Sequence, residues 1–248
     1  MRAVLSAISF FLIIIVITLI YKLPAKFVYQ KLPPHHAVQL NGISGSIWSG
    51  RIGAVRTQQL TIRNIDWTLS AWRLLLGEAD IQWQIQDPAM NLQGELMLSR
   101  PNIHLTNVSG SIDLLALAER LPAQDFLLAG RLDVDISEIG YKNTGWHNAS
   151  GQVVWKSARV LSPTDIELGG FKADLSSKAG RLVAQLNDIG GAVQLSGNSS
   201  MSRQGSYDYV VEIGIRDTSV PRLLEAFNYL EKHNENGLAK LRGNGRLF

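Results

Sequence analysis

A chain of 248 residues that is 46% hydrophobic has enough apolar material for a folded core, which excludes a disordered protein. Lys plus Arg number 24 and Asp plus Glu 21, giving a formal net charge of +3, and no run of five like charges exists, so no nucleic-acid footprint is present. Without cysteine the chain has no disulfide, no thiolate metal site and no cysteine nucleophile.

The first predicted element is a membrane anchor. The stretch from Ala3 to Tyr21 is uncharged and lies between Arg2 and Lys22; Phe10, Phe11, Ile15 and Leu19 lie within it. As a helix it spans roughly 28 Å, the thickness of a bilayer's hydrocarbon layer. A cleaved signal peptide has an apolar core of only about 7–15 residues ending at a small-x-small site, and Lys22 to Lys26 does not supply one. Positive-charge counting leaves the orientation open, because Lys22, Lys26 and Lys31 follow the span while only Arg2 and the terminal amine precede it. The expected organisation is a tip and anchor over 1–22, an interfacial stem over 23–37 and a β domain over 38–248. In the stem Phe27 and Tyr29 stand among lysines, and Pro33 and Pro34 stop any helix.

Beyond the stem the hydrophobic period becomes two. Ile81, Trp83 and Ile85 alternate with glutamines, Leu132, Val134 and Ile136 with Asp133, Asp135 and Ser137, and Tyr207, Tyr209, Val211, Ile213 and Ile215 with mostly polar neighbours. Each such strand has a dry and a wet face. Glycine followed by a polar and then an aliphatic residue recurs at Gly45, Gly94, Gly110, Gly130, Gly151, Gly180 and Gly245, which reads as turn chemistry opening successive strands. The fold class expected is mainly β. It is a long antiparallel meander of about a dozen strands, curled over its single dry face as an open half-barrel or sandwich-like sheet. Bends are expected at Gly214 and at Arg63-Asn64. Two short helices interrupt the pattern, Ser111 to Leu121 with a cap at Ser111 or Asp113, and Ser219 to Lys232 with Pro221 in its first turn.

Chemical motifs are sparse. The five histidines (His35, His36, His104, His147 and His233) are scattered without HExxH spacing, and no G-x-S-x-G elbow, P-loop or dinucleotide fingerprint occurs. Gly169-Gly170 and Gly190-Gly191 read as turns. Asp133 and Asp135 share a strand face about 7 Å apart but have no convergent partner, so they read as a solvated face. Of six tryptophans, Trp67, Trp83 and Trp155 sit at inward positions; Trp48, Trp72 and Trp146 are unassigned. Neither catalytic residues, a metal site nor a cofactor is expected.

The run LNGISGSIWSGR (40–51), with Gly42, Gly45, Trp48 and Gly50, and the run IDWTLSAWRLLLGEADIQWQI (65–85), with Trp67, Trp72 and Gly77, resemble two ordered signatures of the type II secretion system protein N family. Similar stretches continue at 151–160, 168–177, 186–201 and 205–217, while Ala71 stands where the family pattern has proline and the tail beyond Asn234 matches loosely. The resemblance implies a non-enzymatic accessory protein of the bacterial inner membrane with a cytoplasmic N-terminus and a periplasmic β domain. Its partners would be other inner-membrane components of the machine that exports folded proteins across the outer membrane. A curled sheet with one dry face also resembles the lipid-grooved domains of AsmA-like proteins, which implies the alternative of an acyl chain or lipid as ligand.

Overall fold

Local alternation becomes one sheet. The structure, a computed structural model, describes residues 22–31, 38–121, 126–162, 164–217, 221–228 and 238–246. The first helix, α1 (Ala25–Lys31), precedes strands β1 (Val38–Gly45), β2 (Ser49–Thr57) and β3 (Thr61–Leu69). Helix α2 (Ala71–Leu75) links β3 to β4 (Ala79–Asp87), which is followed by β5 (Met90–Ser99) and β6 (Asn102–Asp113). Helix α3 (Leu114–Ala118) leads to the long central strands β7 (Leu127–Lys142) and β8 (Gly145–Ser162), then β9 (Ile166–Lys178), β10 (Arg181–Gly190), β11 (Val193–Met201) and β12 (Ser206–Ile215). Helix α4 (Pro221–Asn228) precedes β13 (Ala239–Arg246). The thirteen strands form a single antiparallel meander in strict sequence order, with β1 and β13 at its two edges.

One register row explains why the sheet forms. Ile43 pairs with Ile52, Ile52 with Ile65, Ile65 with Ile85 and Ile85 with Leu92. The row continues through Gly110, Val134, Val153, Ala173, Leu186, Gly197 and Val211 to Leu241. Every member is apolar or glycine. The adjacent row runs Ser44, Arg51, Asp66, Gln84, Gln93, Ser109, Asp135, Gln152, Asp174, Gln185 and Asn198, then Val210 and Arg242; Val210 alone is apolar. Consecutive residues point to opposite faces, so these rows define one dry and one wet face across the whole sheet. Among the described residues no large side chain is fully buried, because the dry face has no second sheet packed upon it.

Glycine has a different role from the one expected. Of the seven glycines expected to open strands, Gly45 and Gly180 sit at hairpin turns, whereas Gly94, Gly110, Gly130, Gly151 and Gly245 lie inside strands. Several are roofed by an aromatic ring of the paired residue. A side chain on Gly50 would meet the Trp67 ring, one on Gly94 the Trp83 ring, and ones on Gly243 and Gly245 the rings of Tyr209 and Tyr207. Ring over glycine fills the missing side-chain volume and lets the strands approach and curl. The bend at Arg63-Asn64 is present: Asn64 has φ 52°, and pairing of β3 with β4 begins only at Ile65. Gly214 has no left-handed φ; the Leu238 side chain packs against it instead.

The helices also differ from expectation. Ser111, Ile112 and Asp113 remain in β6, paired to Asp133, Leu132 and Arg131, because Ile112 belongs to the dry face; the helix begins only at Leu114. The cap falls on Asp113, whose carboxylate accepts a hydrogen bond from the Ala116 N–H at 3.0 Å. The second predicted helix is described over Pro221–Asn228, and Ser219 and residues 229–232 lie outside the described residues. Helices α1 and α2 were not expected as separate elements. No helix among the described residues is long and apolar enough to cross a membrane, and the predicted anchor from Ala3 to Tyr21 lies outside them.

Meander topology sorts the connections between two ends. The turns after β1, β5, β7, β9 and β11, and helix α2, lie at one end, from which α1 leads along β1 toward Leu40. Helices α3 and α4 and the remaining turns lie at the other. The entering chain is fixed to the first end: the Ile47 N–H donates to the Leu23 carbonyl at 3.0 Å, and Pro24 bridges Ser46.

These contacts predict unequal glycine sensitivities. Gly110 has φ 140°, and a Cβ there would stand 2.0 Å from the Asn91 carbonyl oxygen, whereas Gly77 has φ 81° with open space around it. Gly77→Ala is expected to lose only the backbone term of about 1–2 kcal/mol. Gly110→Ala carries a steric clash besides its backbone strain of about 1–3 kcal/mol and should be clearly the more destabilised in urea denaturation.

Candidate functional site

The dry face has a hollow over its second half. A cavity of about 720 Å³ is lined by Leu132, Val153 and Trp155, by Phe171, Leu186, Leu195 and Ile213, and by Leu223 and Phe227 of α4. Trp155 and Phe171 meet at 5.8 Å between ring centroids, and the Trp155 indole N–H donates to the Ala129 carbonyl at 3.1 Å. The polar edge of the indole is thus satisfied, leaving an apolar wall. Lys172 is the one charged residue at the lining. A cavity of this size and chemistry is suited to an apolar ligand held without directional contacts.

The end of the sheet that carries α3 and α4 holds a buried carboxylate outside this cavity. The Asp87 side chain is fully buried and accepts hydrogen bonds from the Ala89 N–H at 2.8 Å, the Arg63 N–H at 2.9 Å and the Arg120 guanidinium. It therefore ties the bend of β3, the β4–β5 turn and the segment after α3 together. Burial would raise its pKa, but the two N–H donors and Arg120 outweigh that effect and hold the carboxyl below the usual carboxylate range. Asp188 shows the same balance, with burial opposed by Arg216 and by the Leu195 and Gly190 N–H groups.

Two histidines that are far apart in sequence meet on the sheet. Gly140 pairs with both His104 and His147, whose ring centroids are 5.1 Å apart, and the His147 ring occupies the space over Gly140. Glu138 Oε1 lies 3.3 Å from His104 Nδ1. Burial, followed by the positive charges of Lys142 and His104, holds His147 below its ordinary pKa. Among the described residues no group of three or more side chains is arranged to hold a metal ion. His35, His36 and His233 lie outside the described residues. Asp133 does not act with Asp135: it is bonded to Lys156 at 2.7 Å and Arg131 at 2.8 Å, and its pKa is lowered chiefly by the Lys156 hydrogen bond.

The signature positions gather near the first end. Gly42 and Gly45 have φ of 68° and 90° in β1, Trp48 lies in the β1–β2 turn, Gly50 lies in β2 under the Trp67 ring, and Gly77 closes the turn after α2. Ala71 is the first residue of α2, a position where proline fits a helix. Trp72 is in α2, and Trp146 meets Tyr141 edge-on at 5.1 Å between ring centroids and donates to the Ser202 carbonyl. The anchor residues Ala3, Phe10, Phe11, Ile15, Leu19 and Tyr21 lie outside the described residues.

Comparison with known proteins follows the same extent of chain. The family model described as Type II secretion system (T2SS), protein N matches residues 36–242. Type II secretion system protein N of Aeromonas hydrophila is 27% identical over 236 residues, covering 92% of this chain and 93% of the relative. The protein of the same name from Vibrio cholerae serotype O1 is 24% identical over 245 residues, covering 94% and 95%. That of Pectobacterium carotovorum subsp. carotovorum is 27% identical over 124 residues, 48% of each chain. No solved structure is significantly similar.

The depressed carboxyl of Asp87 makes acid sensitivity testable. Near pH 4 the unfolded chain binds a proton there that the folded chain does not, so stability is held above the unfolded pKa of ~3.9 and is lost as pH falls through the lower folded value. Asp87→Asn is expected to lose roughly 1–3 kcal/mol at neutral pH through its weakened hydrogen bonds. It should also show a shallower loss below pH 4 than the parent; Asp188 keeps part of the slope. Urea denaturation of the full chain in detergent across pH 3–7 measures both.

Proposed function

Because this chain belongs to the type II secretion system protein N family, we propose that it is a non-enzymatic accessory component of that machine, held in the inner membrane by a single helix over Ala3 to Tyr21. Its N-terminus faces the cytoplasm and its sheet stands in the periplasm, where it contributes to export of folded proteins across the outer membrane. The match over residues 36–242 carries this reading. The uncharged segment and the attachment of Leu23 and Pro24 to the β1–β2 turn support the tether.

Contact with other inner-membrane components would use the helix and the exposed sheet edge, through helix packing and strand addition. Deletion of the gene should reduce secretion, and a photo-crosslinker replacing Arg242 on the edge strand β13 should capture a secretion component in cells. Unchanged secretion together with no crosslinked component would overturn the assignment.

A second reading is favoured by the cavity of about 720 Å³ lined by Trp155, Phe171 and Phe227. In it the dry face accommodates an acyl chain, as a lipid-binding or lipid-transfer domain of AsmA-like type does. Native mass spectrometry of the gently purified protein should then show a phospholipid-mass adduct that detergent exchange removes. A bare protein mass under all conditions would dispose of this reading without touching the first.

A further inference from the structure

The connection between β3 and β4 carries an apolar patch that the sheet does not use. Trp72, Leu75 and Leu76 are 72%, 78% and 68% exposed. Three large hydrophobic residues so exposed within five positions mark a contact surface. The patch is fixed in place: the Ser70 N–H donates to the Asp80 carbonyl at 2.9 Å, the Gly77 N–H closes the turn on Leu74 at 3.0 Å, and Arg73 is paired with Asp80 at 3.0 Å and Glu78 at 3.5 Å. It continues into a hollow of about 840 Å³ shared with Leu98 and Ile103, with Arg100 at the rim.

Its position supplies the occupant. The Leu69 N–H donates to the Trp48 carbonyl at 2.7 Å, so the strand leading into α2 is bonded to the β1–β2 turn, and that turn is bonded to Leu23 and Pro24 of the entering chain. At the strand spacing of about 4.8 Å, α2 lies within roughly 10–15 Å of the point where the chain enters the sheet. The uncharged run ends at Tyr21, one residue before the described chain begins. A bilayer receiving that run therefore lies against the same end of the sheet as the patch.

We propose that the α2 connection is a second membrane contact, in which Trp72, Leu75 and Leu76 enter the headgroup–acyl boundary of the bilayer that holds residues 3–21. This rests on the anchor reading given under Proposed function. The chemistry is that of an interfacial insertion: an indole at headgroup depth and leucines below it. Arg73 is paired with both Glu78 and Asp80, so the cluster carries one surplus negative charge, which stays on the water side of the headgroups while the apolar side chains enter. Lys22 and Lys26 flank the point where the chain meets the β1–β2 turn and suit lipid phosphates. One helix tether leaves the tilt of the sheet free; two attachments fix it, directing α3, α4 and the apolar cavity away from the membrane.

The cysteine-free sequence allows a direct test. Single variants Leu75→Cys, Ile13→Cys in the anchor and Gln59→Cys in the far-end β2–β3 turn are labelled with an environment-sensitive fluorophore. The full chain is reconstituted in phosphatidylethanolamine–phosphatidylglycerol vesicles containing a nitroxide lipid. Quenching at positions 75 and 13 is expected to exceed that at 59 several-fold, with blue-shifted emission at 75. Strong quenching at 13 with position 75 no different from 59 overturns the proposal and leaves the anchor standing. Weak quenching at all three overturns the anchor reading and the proposal with it. A blue shift at 75 without lipid quenching also overturns the proposal, since it means that a protein, a second copy or a partner, covers the patch. Leu76→Cys provides an independent second position should the first variant fold poorly.

Discussion

The apolar register row from Ile43 to Leu241 is the constraint on which the rest depends. A slip of one residue between any two strands would bring a polar row against the dry face, since Arg51, Asp66, Gln84 and Gln93 stand one position away. Thirteen strands can stay in phase only if every irregularity restores the alternation. The structure does this with left-handed residues. Asn107, at φ 53°, takes up an extra residue of β6 opposite Gly94, so Leu105 and Val108 both remain on the dry side while Thr106 reaches Glu95 on the wet one. Ser157, at φ 49°, does the same between Trp155 and the fully buried Ala158. Asparagine tolerates this conformation because its short polar side chain bonds locally.

Much of this was legible in the sequence. The alternations at 81–86, 132–137 and 207–216 identify strands without reference to anything distant, and they recur often enough to require a meander. The internal glycines were not legible. Gly94 reads as turn chemistry until the strand beside it is known, because its role depends on Trp83 across the register. The same holds for Gly243 beneath Tyr209, and for His104 and His147, which read as scattered until Gly140 is seen between them. Helix α2 was hidden for another reason: Leu74, Leu75 and Leu76 form a short apolar run that composition alone does not assign to helix or strand, and the backbone bonds from Leu74 to Ser70 and from Leu76 to Arg73 decide it. Asp87, the one buried charged residue described, stood in the sequence as an ordinary strand-end aspartate.

Sequential pairing also has a geometric consequence. When each strand pairs with the next, odd-numbered connections fall at one end and even-numbered ones at the other, so a chain that enters beside the β1–β2 turn has a defined near and far end. The near end holds the bare apolar connection of α2 and the start of α1, where Lys22 and Lys26 flank Pro24. The far end holds the Asp87–Arg120 junction and the helix that lines the cavity. The exposed apolar connection and the cavity are therefore separated along the strand direction, not only between the two faces.

The two edges of the sheet are not equivalent either, and this bears on how an open sheet remains unaggregated. At β1 the Tyr29 hydroxyl of α1 accepts the Leu40 N–H at 3.4 Å, so a backbone donor of that edge is already met from within the chain. At β13 the protection is charge, from Arg242 and Arg246 on the wet side, while Lys240 is paired with Glu212. Positive side chains deter a second copy of the same edge by repulsion but do not occupy its backbone groups. A strand of complementary charge could therefore continue the sheet beyond Leu241 without displacing any described element, whereas addition at β1 would first have to dislodge α1. An open dry face and one charge-guarded edge are liabilities in an isolated protein. In a subunit of a larger assembly they are the surfaces at which the sheet can be completed.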